Sequence, residues 1–408
     1  MVILKHSFLL TILISQFCFS QWYSQNGGTT SWLHGVWMID SSRVIAVGSD
    51  GTILSTSNAG STWETVSSGT NVFLNSVCFF DSDFGTVVGD NGTILQTSDG
   101  GETWSQRTIG TSANLWAVTF IQSDLGLVVG EQGNILLTND GGMTWENLWS
   151  SASDYFYDVV IPGYLTAFIT GIPFAAGPQE LIRTTDGGIN WDTLLTGTTD
   201  PMFAITFKDS STGFVAGQNG IIMITTDSGD SWTVQNSGVT VSLYDIKFLG
   251  DNSLIAIGDN GTILTSTNMG TNWNQQSSGT NMQLSSVSFS DRNNGTIVGY
   301  LGKILRTTNG GISSVDLLEQ VEKFGLEQNY PNPFNPNTLI SWQSPIGSKQ
   351  TIKVFDILGN EVAILVDDYK EAGKYQIEFN ASELASGIYF YQLTAGDFIS
   401  VKKMVLMK

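Results

Sequence analysis

The sequence predicts an all-β fold: a seven-bladed β-propeller over residues 21–311, then a small Ig-like β-sandwich over residues 326–408. Two observations predict the propeller. Tryptophans stand at 22, 63, 104, 145, 191, 232 and 273, at intervals of 41, 41, 41, 46, 41 and 41. A second ruler, Gly48, Gly89, Gly130, Gly171, Gly217, Gly258 and Gly299, keeps the same steps. A period near 40 residues with several short β segments per unit is the signature of propeller blades. The third observation concerns the tail, where alternating strands and turn residues replace the repeat and suit a sandwich.

The two rulers are offset. The seventh glycine unit ends in Thr307-Thr308-Asn309-Gly310-Gly311, and Ser314 stands where the next tryptophan is due. The missing strand is at the other end of the chain, where Trp22-Tyr23-Ser24-Gln25-Asn26 parallels Trp232-Thr233-Val234-Gln235-Asn236. The N-terminal strand is therefore expected to complete the last blade. That would remove the two raw sheet edges a linear array exposes.

Within each unit a turn recurs as Ser/Thr-x-Asp/Asn, then glycine, then tryptophan. Its acid or amide is Asn58, Asp99, Asp140, Asp186, Asp227, Asn268 and Asn309. An Asp or Asn side chain accepts hydrogen bonds from turn amides, and glycine permits positive φ. This turn resembles the Asp-box, or BNR, repeat of bacterial neuraminidases. In that group the box is an element of the fold outside the active site.

Composition excludes several function classes. The net charge is −20, and residues 21–314 carry 25 acids against 8 bases. Such a field argues against nucleic acid, which requires a basic footprint. Cys18 falls in a leader, leaving Cys78 alone in the mature chain, and His34 is the only mature histidine. A His-based triad or multi-His metal centre is thereby excluded, and no cofactor or metal is expected. Residues 1–20 read as a secretory signal peptide: Lys5 and His6 precede an apolar run, and small residues stand near position 20. No later run is long enough to span a membrane as a helix.

The first strand of each unit repeats in register. One column reads Leu33, Leu74, Leu115, Phe156, Met202, Leu243, Leu284 and packs between blades. The next reads His34, Asn75, Trp116, Tyr157, Phe203, Tyr244, Ser285, so four successive blades contribute aromatics. The following column is small or acidic and includes Asp158 and Asp245. The innermost strand begins on the face bearing the inter-blade loops, which directs these columns toward the channel mouth. The one irregular interval places Gly171-Ile172-Pro173-Phe174-Ala175-Ala176-Gly177-Pro178-Gln179 in blade four, on the same face, where blade three has the short Gly130-Glu131-Gln132-Gly133 turn. Trp116, Tyr157, Phe203, Tyr244 and Phe174 are accordingly the candidate ligand contacts.

The copies of Phe84-Gly85-Thr86-Val87-Val88-Gly89, Gly92-Thr93-Ile94-Leu95 and the Thr97–Trp104 turn make this region similar to photosystem II assembly and stability-factor-like propellers. The resemblance implies protein binding without catalysis, since members in photosynthetic cells help assemble a membrane complex. Those members are associated with an arginine-rich binding patch, whereas arginines here are few and scattered. Asp-box propellers also include sialidase-like and xyloglucanase-like glycoside hydrolases, for which Asp158 and Asp245 would be the candidate carboxylates. No Arg-Ile-Pro element or arginine cluster accompanies the boxes.

Residues 312–325 read as a linker. The tail strongly resembles the type IX secretion sorting domain, type A, through Tyr330-Pro331-Asn332-Pro333-Phe334, Asp356-Ile357-Leu358-Gly359, Gly387 within Leu384-Ala385-Ser386-Gly387-Ile388-Tyr389, and Lys402-Lys403-Met404. The resemblance implies the type IX secretion machinery as partner, delivery through the periplasm, and release or anchoring at the outer cell surface. The leading functional expectation is a secreted or surface propeller that binds a protein or glycan through its loop face.

Overall fold

A computed structural model describes residues 21–150, 154–173, 180–250, 252–311, 323–370 and 373–407. The leader, residues 174–179 of the insertion with Phe174, and most of the expected linker lie outside the described residues. The chain divides into two compact units, residues 1–312 and 313–408.

The first unit contains seven four-stranded antiparallel sheets. Their inner strands are Leu33–Met38, Leu74–Phe79, Leu115–Phe120, Asp154–Gly163, Met202–Phe207, Leu243–Phe248 and Leu284–Phe289. Each touches the next in order, and the last touches the first. The cores lie between sheets. One cluster joins sheets one and two through Ile45, Ile53, Leu74 and Leu95. Another joins sheets five and six through Phe214, Ile222, Leu243 and Leu264. Second strands such as Val44–Gly48, Gly85–Gly89 and Leu254–Gly258 are buried along their whole length. Their continuous apolar runs follow from having a neighbouring sheet on both faces.

Sheet seven is assembled from both ends of the unit, in the order Tyr23–Asn26, Lys303–Thr307, Gly295–Gly299, Leu284–Phe289. Tyr23 pairs with Arg306 and Asn26 with Lys303. Trp22 is buried beside Phe289, edge-on at 6.1 Å. Trp104, Trp145 and Trp232 meet Phe79, Phe120 and Phe207 of their own sheets in the same way. Polar contacts cross to sheet one. The Arg306 guanidinium donates to Ser41 O at 2.7 Å and, within its own sheet, to Thr296 Oγ1 at 3.0 Å. Gln25 Nε2 donates to Ala59 O at 2.8 Å.

The Asp-box turns share one hydrogen-bond plan. In sheet two, Thr97 Oγ1 donates to Asp99 Oδ1 at 2.7 Å and accepts from Gly101 N, and Thr103 N donates to Asp99 Oδ1 at 2.9 Å. Asn58, Asp140, Asp186, Asp227 and Asn268 hold the same places in their turns. In sheet seven, Thr307 Oγ1 donates to Asn309 Oδ1 at 2.8 Å. The Thr103 hydroxyl, then Thr97, holds Asp99 down at about 2, and Ser231 does the same for Asp227. A depressed carboxylate stabilises the fold above its ordinary pKa, and that contribution is lost as pH falls through the depressed value. The melting temperature is therefore expected to decline between pH 4 and 2. Changing Asp99, Asp140, Asp186 and Asp227 together to asparagine should leave it nearly unchanged at pH 7, because sheets one, six and seven already use asparagine. The same change should flatten the acid slope, as thermal melts across pH would read.

The second unit has a three-stranded sheet (Gly325–Leu326, Asn337–Ser344, Gly373–Asn380) and a four-stranded sheet (Glu361–Lys370, Ser348–Phe355, Gly387–Ala395, Phe398–Leu406). Ile340, Trp342, Val354, Tyr391 and Met404 fill the core. Phe334 is buried with them and is pinned by Phe334 N to Val405 O and Met407 N to Phe334 O, both 3.0 Å. Asn332 Oδ1 accepts from Val405 N at 2.9 Å, and Asn332 Nδ2 donates to Lys403 O at 3.3 Å. Pro331 O accepts from Thr338 Oγ1 and Asn329 Nδ2. Pro333 is exposed, Tyr330 points outward at 81% exposure, and Gly387 begins its strand. Lys402 is half-buried and Lys403 exposed, opposite Tyr391 and Phe390. The proline-rich segment is thus a strap that ties the last strand to the core.

Candidate functional site

Every inner strand of the seven sheets carries a register shift at the same position, and that of sheet four has a second at Val160/Gly163. The shifts fall at Leu33/Gly35, Leu74/Ser76, Leu115/Ala117, Phe156/Asp158, Met202/Ala204, Leu243/Asp245 and Leu284/Ser286. The residues skipped are His34, Asn75, Trp116, Tyr157, Phe203, Tyr244 and Ser285, which form the variable column. A bulge frees a residue from the ladder and re-aims its side chain. Here the seven bulges turn that column toward a central cavity of about 400 Å³ that all seven inner strands line.

The aromatics form a continuous arc. Trp116 meets Tyr157 at 6.4 Å, Tyr157 meets Phe203 edge-on at 5.5 Å, and Phe203 stacks on Tyr244 at 5.5 Å. All four are half-buried. Tyr244 OH donates to Asp259 Oδ2 at 3.2 Å.

The arc continues through residues that sequence reading did not single out. Ser285 accepts from Trp32 Nε1 at 2.9 Å, so Trp32 covers the small residue of sheet seven. His34 lies tilted against Trp32 at 4.4 Å, and Phe73 meets His34 edge-on at 5.7 Å. Tyr300 packs against the other edge of Trp32. The gap lies at sheet two, where Asn75 Nδ2 turns away to Asp90 Oδ1 and Leu115 O. A signal for the second half existed, since Trp32 and Phe73 both stand immediately before the leucine column. Two polar atoms of this collar, Trp116 Nε1 and His34 Nε2, are buried without a hydrogen-bond partner. Burial lowers His34 to about 4, so its imidazole is neutral near pH 7.

Below the collar the two acids are engaged in the framework. Asp158 accepts from Val159 N at 2.8 Å and from Ile205 N of the next sheet at 2.9 Å. Asp245 accepts from Ile246 N at 2.9 Å, from Val287 N of the next sheet at 2.9 Å, and from Ser286 Oγ at 3.3 Å. Lys247 Nζ lies 3.1 Å from Asp245. Burial raises Asp158 to about 6, against the opposing pull of Lys247 and the two amides. Each carboxylate bridges its sheet to the next at the amide that follows the neighbouring bulge. Burial raises the Cys78 thiol to about 12, so it is a packed, protonated side chain. Among the described residues, no group of three His, Cys, Asp or Glu could hold a metal ion.

The profile described as Photosynthesis system II assembly factor YCF48 matches residues 15–106, 55–148, 108–201 and 190–277 in overlapping copies. The chain belongs to the YCF48 family. Its tail, residues 328–407, matches the secretion system C-terminal sorting domain. The YCF48-like unit is similar to a solved structure of YCF48 bound to D1 peptide, with 20% identity and TM-score 0.61 over 71% of this chain and 98% of that one. YCF48 from Cyanidioschyzon merolae gives 20% and 0.60 over 71% and 99%. PorZ, a bacterial surface component of the type IX secretion system of Porphyromonas gingivalis, gives 12% and 0.51 over 90% of this chain and 58% of PorZ. No curated protein matches. At these identities the solved structures speak to fold alone: this YCF48-family chain is an all-β propeller. The sorting domain indicates export to the cell surface or the medium and implies the type IX machinery as a partner. No helix among the described residues is long and apolar enough to cross a membrane.

Proposed function

We propose that the protein is a surface or secreted binding propeller whose collar engages a protein or glycan ligand. In this reading the seven sheets are the blades of one closed ring, residues 1–20 are a signal peptide, residues 312–325 link the units, and an Ig-like sandwich serves as sorting domain. The observation that carries it is the bulge-presented collar at the mouth of a cavity. It combines half-buried rings with two orphaned polar atoms, Trp116 Nε1 and His34 Nε2. Ligand sites characteristically pair broad aromatic surface with a few unsatisfied polar groups. The D1 peptide bound by YCF48 favours a protein segment as ligand.

The Trp116→Ala, Tyr157→Ala, Tyr244→Ala triple variant tests this reading. Removing three aromatic anchors should weaken ligand binding at least 100-fold, at about 1–3 kcal/mol each, with the fold retained. A glycan array and a surface-protein pulldown provide the comparison. A folded triple variant that captures the same partners as wild type would end it.

A further inference from the structure

The opposite face, which bears the Asp-boxes, is uneven in a way the repeat does not require. Two positions in each sheet decide it. The residue closing the first hairpin reads Arg43, Phe84, Leu125, Leu165, Thr212, Ser253, Asn294 around the ring. The residue after the last turn glycine reads Ser61, Glu102, Met143, Ile189, Asp230, Thr271 and Ile312, the last outside the described residues. Sheets one, five and six are polar at both positions and sheet seven at Asn294, whereas sheets two to four are apolar in five of six.

These apolar side chains are accessible and adjoining. Phe84 is 46% exposed, Met143 62%, Leu165 51% and Ile189 81%, and the neighbouring Tyr164 is 65%. Phe84 and Met143 line a groove of about 530 Å³ between sheets two and three, floored by Phe80 and Trp104. Leu125, Tyr164 and Leu165 line the next inter-sheet depression, with Gly188 beside Ile189. Contiguous exposed apolar area of this kind marks an interaction surface.

Charge selects the occupant. Asp81, Asp83, Glu102, Asp124 and Asp140 are exposed around the groove. Hydrogen bonding within its box depresses Asp140, which lines the groove. Arg107, the base that lines the groove, donates from Nε to Gln96 Oε1 at 2.7 Å and from Nη2 to Met143 Sδ at 3.8 Å, so one cation faces the more numerous carboxylates of the rim. We propose that this face of sheets two to four docks a protein segment whose apolar side chains are flanked by lysine or arginine. The apolar side chains would enter the groove beside Phe84 and Met143, and the cations would meet the rim carboxylates.

A random 12-residue peptide display library selected against the full chain tests this. Expected are enriched peptides with at least two large apolar residues beside Lys or Arg. Their affinity should fall at least tenfold in Phe84→Ser/Met143→Glu, which installs residue types that other sheets carry, and drop with added salt. Trp116→Ala/Tyr157→Ala on the opposite face should leave it unchanged, which separates this surface from the collar. Enrichment of acidic peptides, absence of enrichment, or binding indifferent to the Phe84/Met143 change would each overturn the proposal. Ile189→Asp is a second variant, because its side chain is free of the core and the fold should tolerate it.

Discussion

Replacing Trp22 with alanine is expected to destabilise the first unit by about 3–5 kcal/mol, the range for emptying a buried aromatic site. Against a total of about 5–15 kcal/mol that is a large fraction. Trp22 is 1% exposed and packs on Phe289, Leu305 and the Ile255–Ile263 side of sheet six. It also anchors the one outer strand that is not continuous with its sheet. When Trp232 is cut back, its strand stays tethered to the preceding turn. When Trp22 is cut back, residues 21–26 can leave the Lys303–Thr307 edge, exposing that edge and loosening the contacts of Gln25 with sheet one. A chemical denaturation midpoint measures the loss, with Val234→Ala as the exposed outer-strand control, expected within about 0.5 kcal/mol. Faster hydrogen exchange at residues 304–306 should accompany it. A Trp22→Ala midpoint as close to wild type as the control's would remove the strand exchange from the account of stability.

The same strand shows why so much of the first unit was legible. A 41-residue ruler fixes where each sheet begins and ends, and the missing eighth tryptophan points to Trp22 because every other unit has one. The boxes were legible for a similar reason, since one side chain satisfies the same turn amides each time. The collar was only half legible. Trp116, Tyr157, Phe203 and Tyr244 stand in one column, but their direction depends on a bulge, and a bulge leaves no mark in apolar spacing. Trp32 reaches Ser285 across more than two hundred and fifty residues of sequence, a contact created by closure alone. Asp158 and Asp245 carry the opposite ambiguity: both line the central cavity, and their lone pairs are directed at amides of adjacent sheets. Sequence cannot distinguish an acid facing a substrate from one facing a neighbouring strand.

That distinction yields the second large effect. Asp245→Ala removes a buried acceptor of two amides and a hydroxyl and leaves Lys247 with Asp158 as its remaining counter-charge. Breaking such an arrangement from one side costs about 3–5 kcal/mol. Asp245→Asn should recover little of it, because an amide offers one acceptor and turns N–H groups toward N–H groups. A catalytic carboxylate would behave otherwise: its asparagine variant would melt with wild type and lose only turnover. Asp158→Ala adds a pH signature. Its folded pKa, near 6, lies above the ordinary carboxyl value, so the folded state binds more protons than the unfolded state between about pH 4 and 6. The stability Asp158 contributes is therefore greatest below pH 4 and falls as pH rises through 6. The penalty of Asp158→Ala should accordingly be larger at pH 4 than at pH 7. Denaturation midpoints of both variants at the two pH values, with a reducing-sugar assay over a polysaccharide panel, separate the cases. Sugar release by wild type that vanishes in an equally stable Asp245→Asn protein would make these acids catalytic. Stability losses of the stated size and sign make them the clasps between sheets four and five and between sheets six and seven.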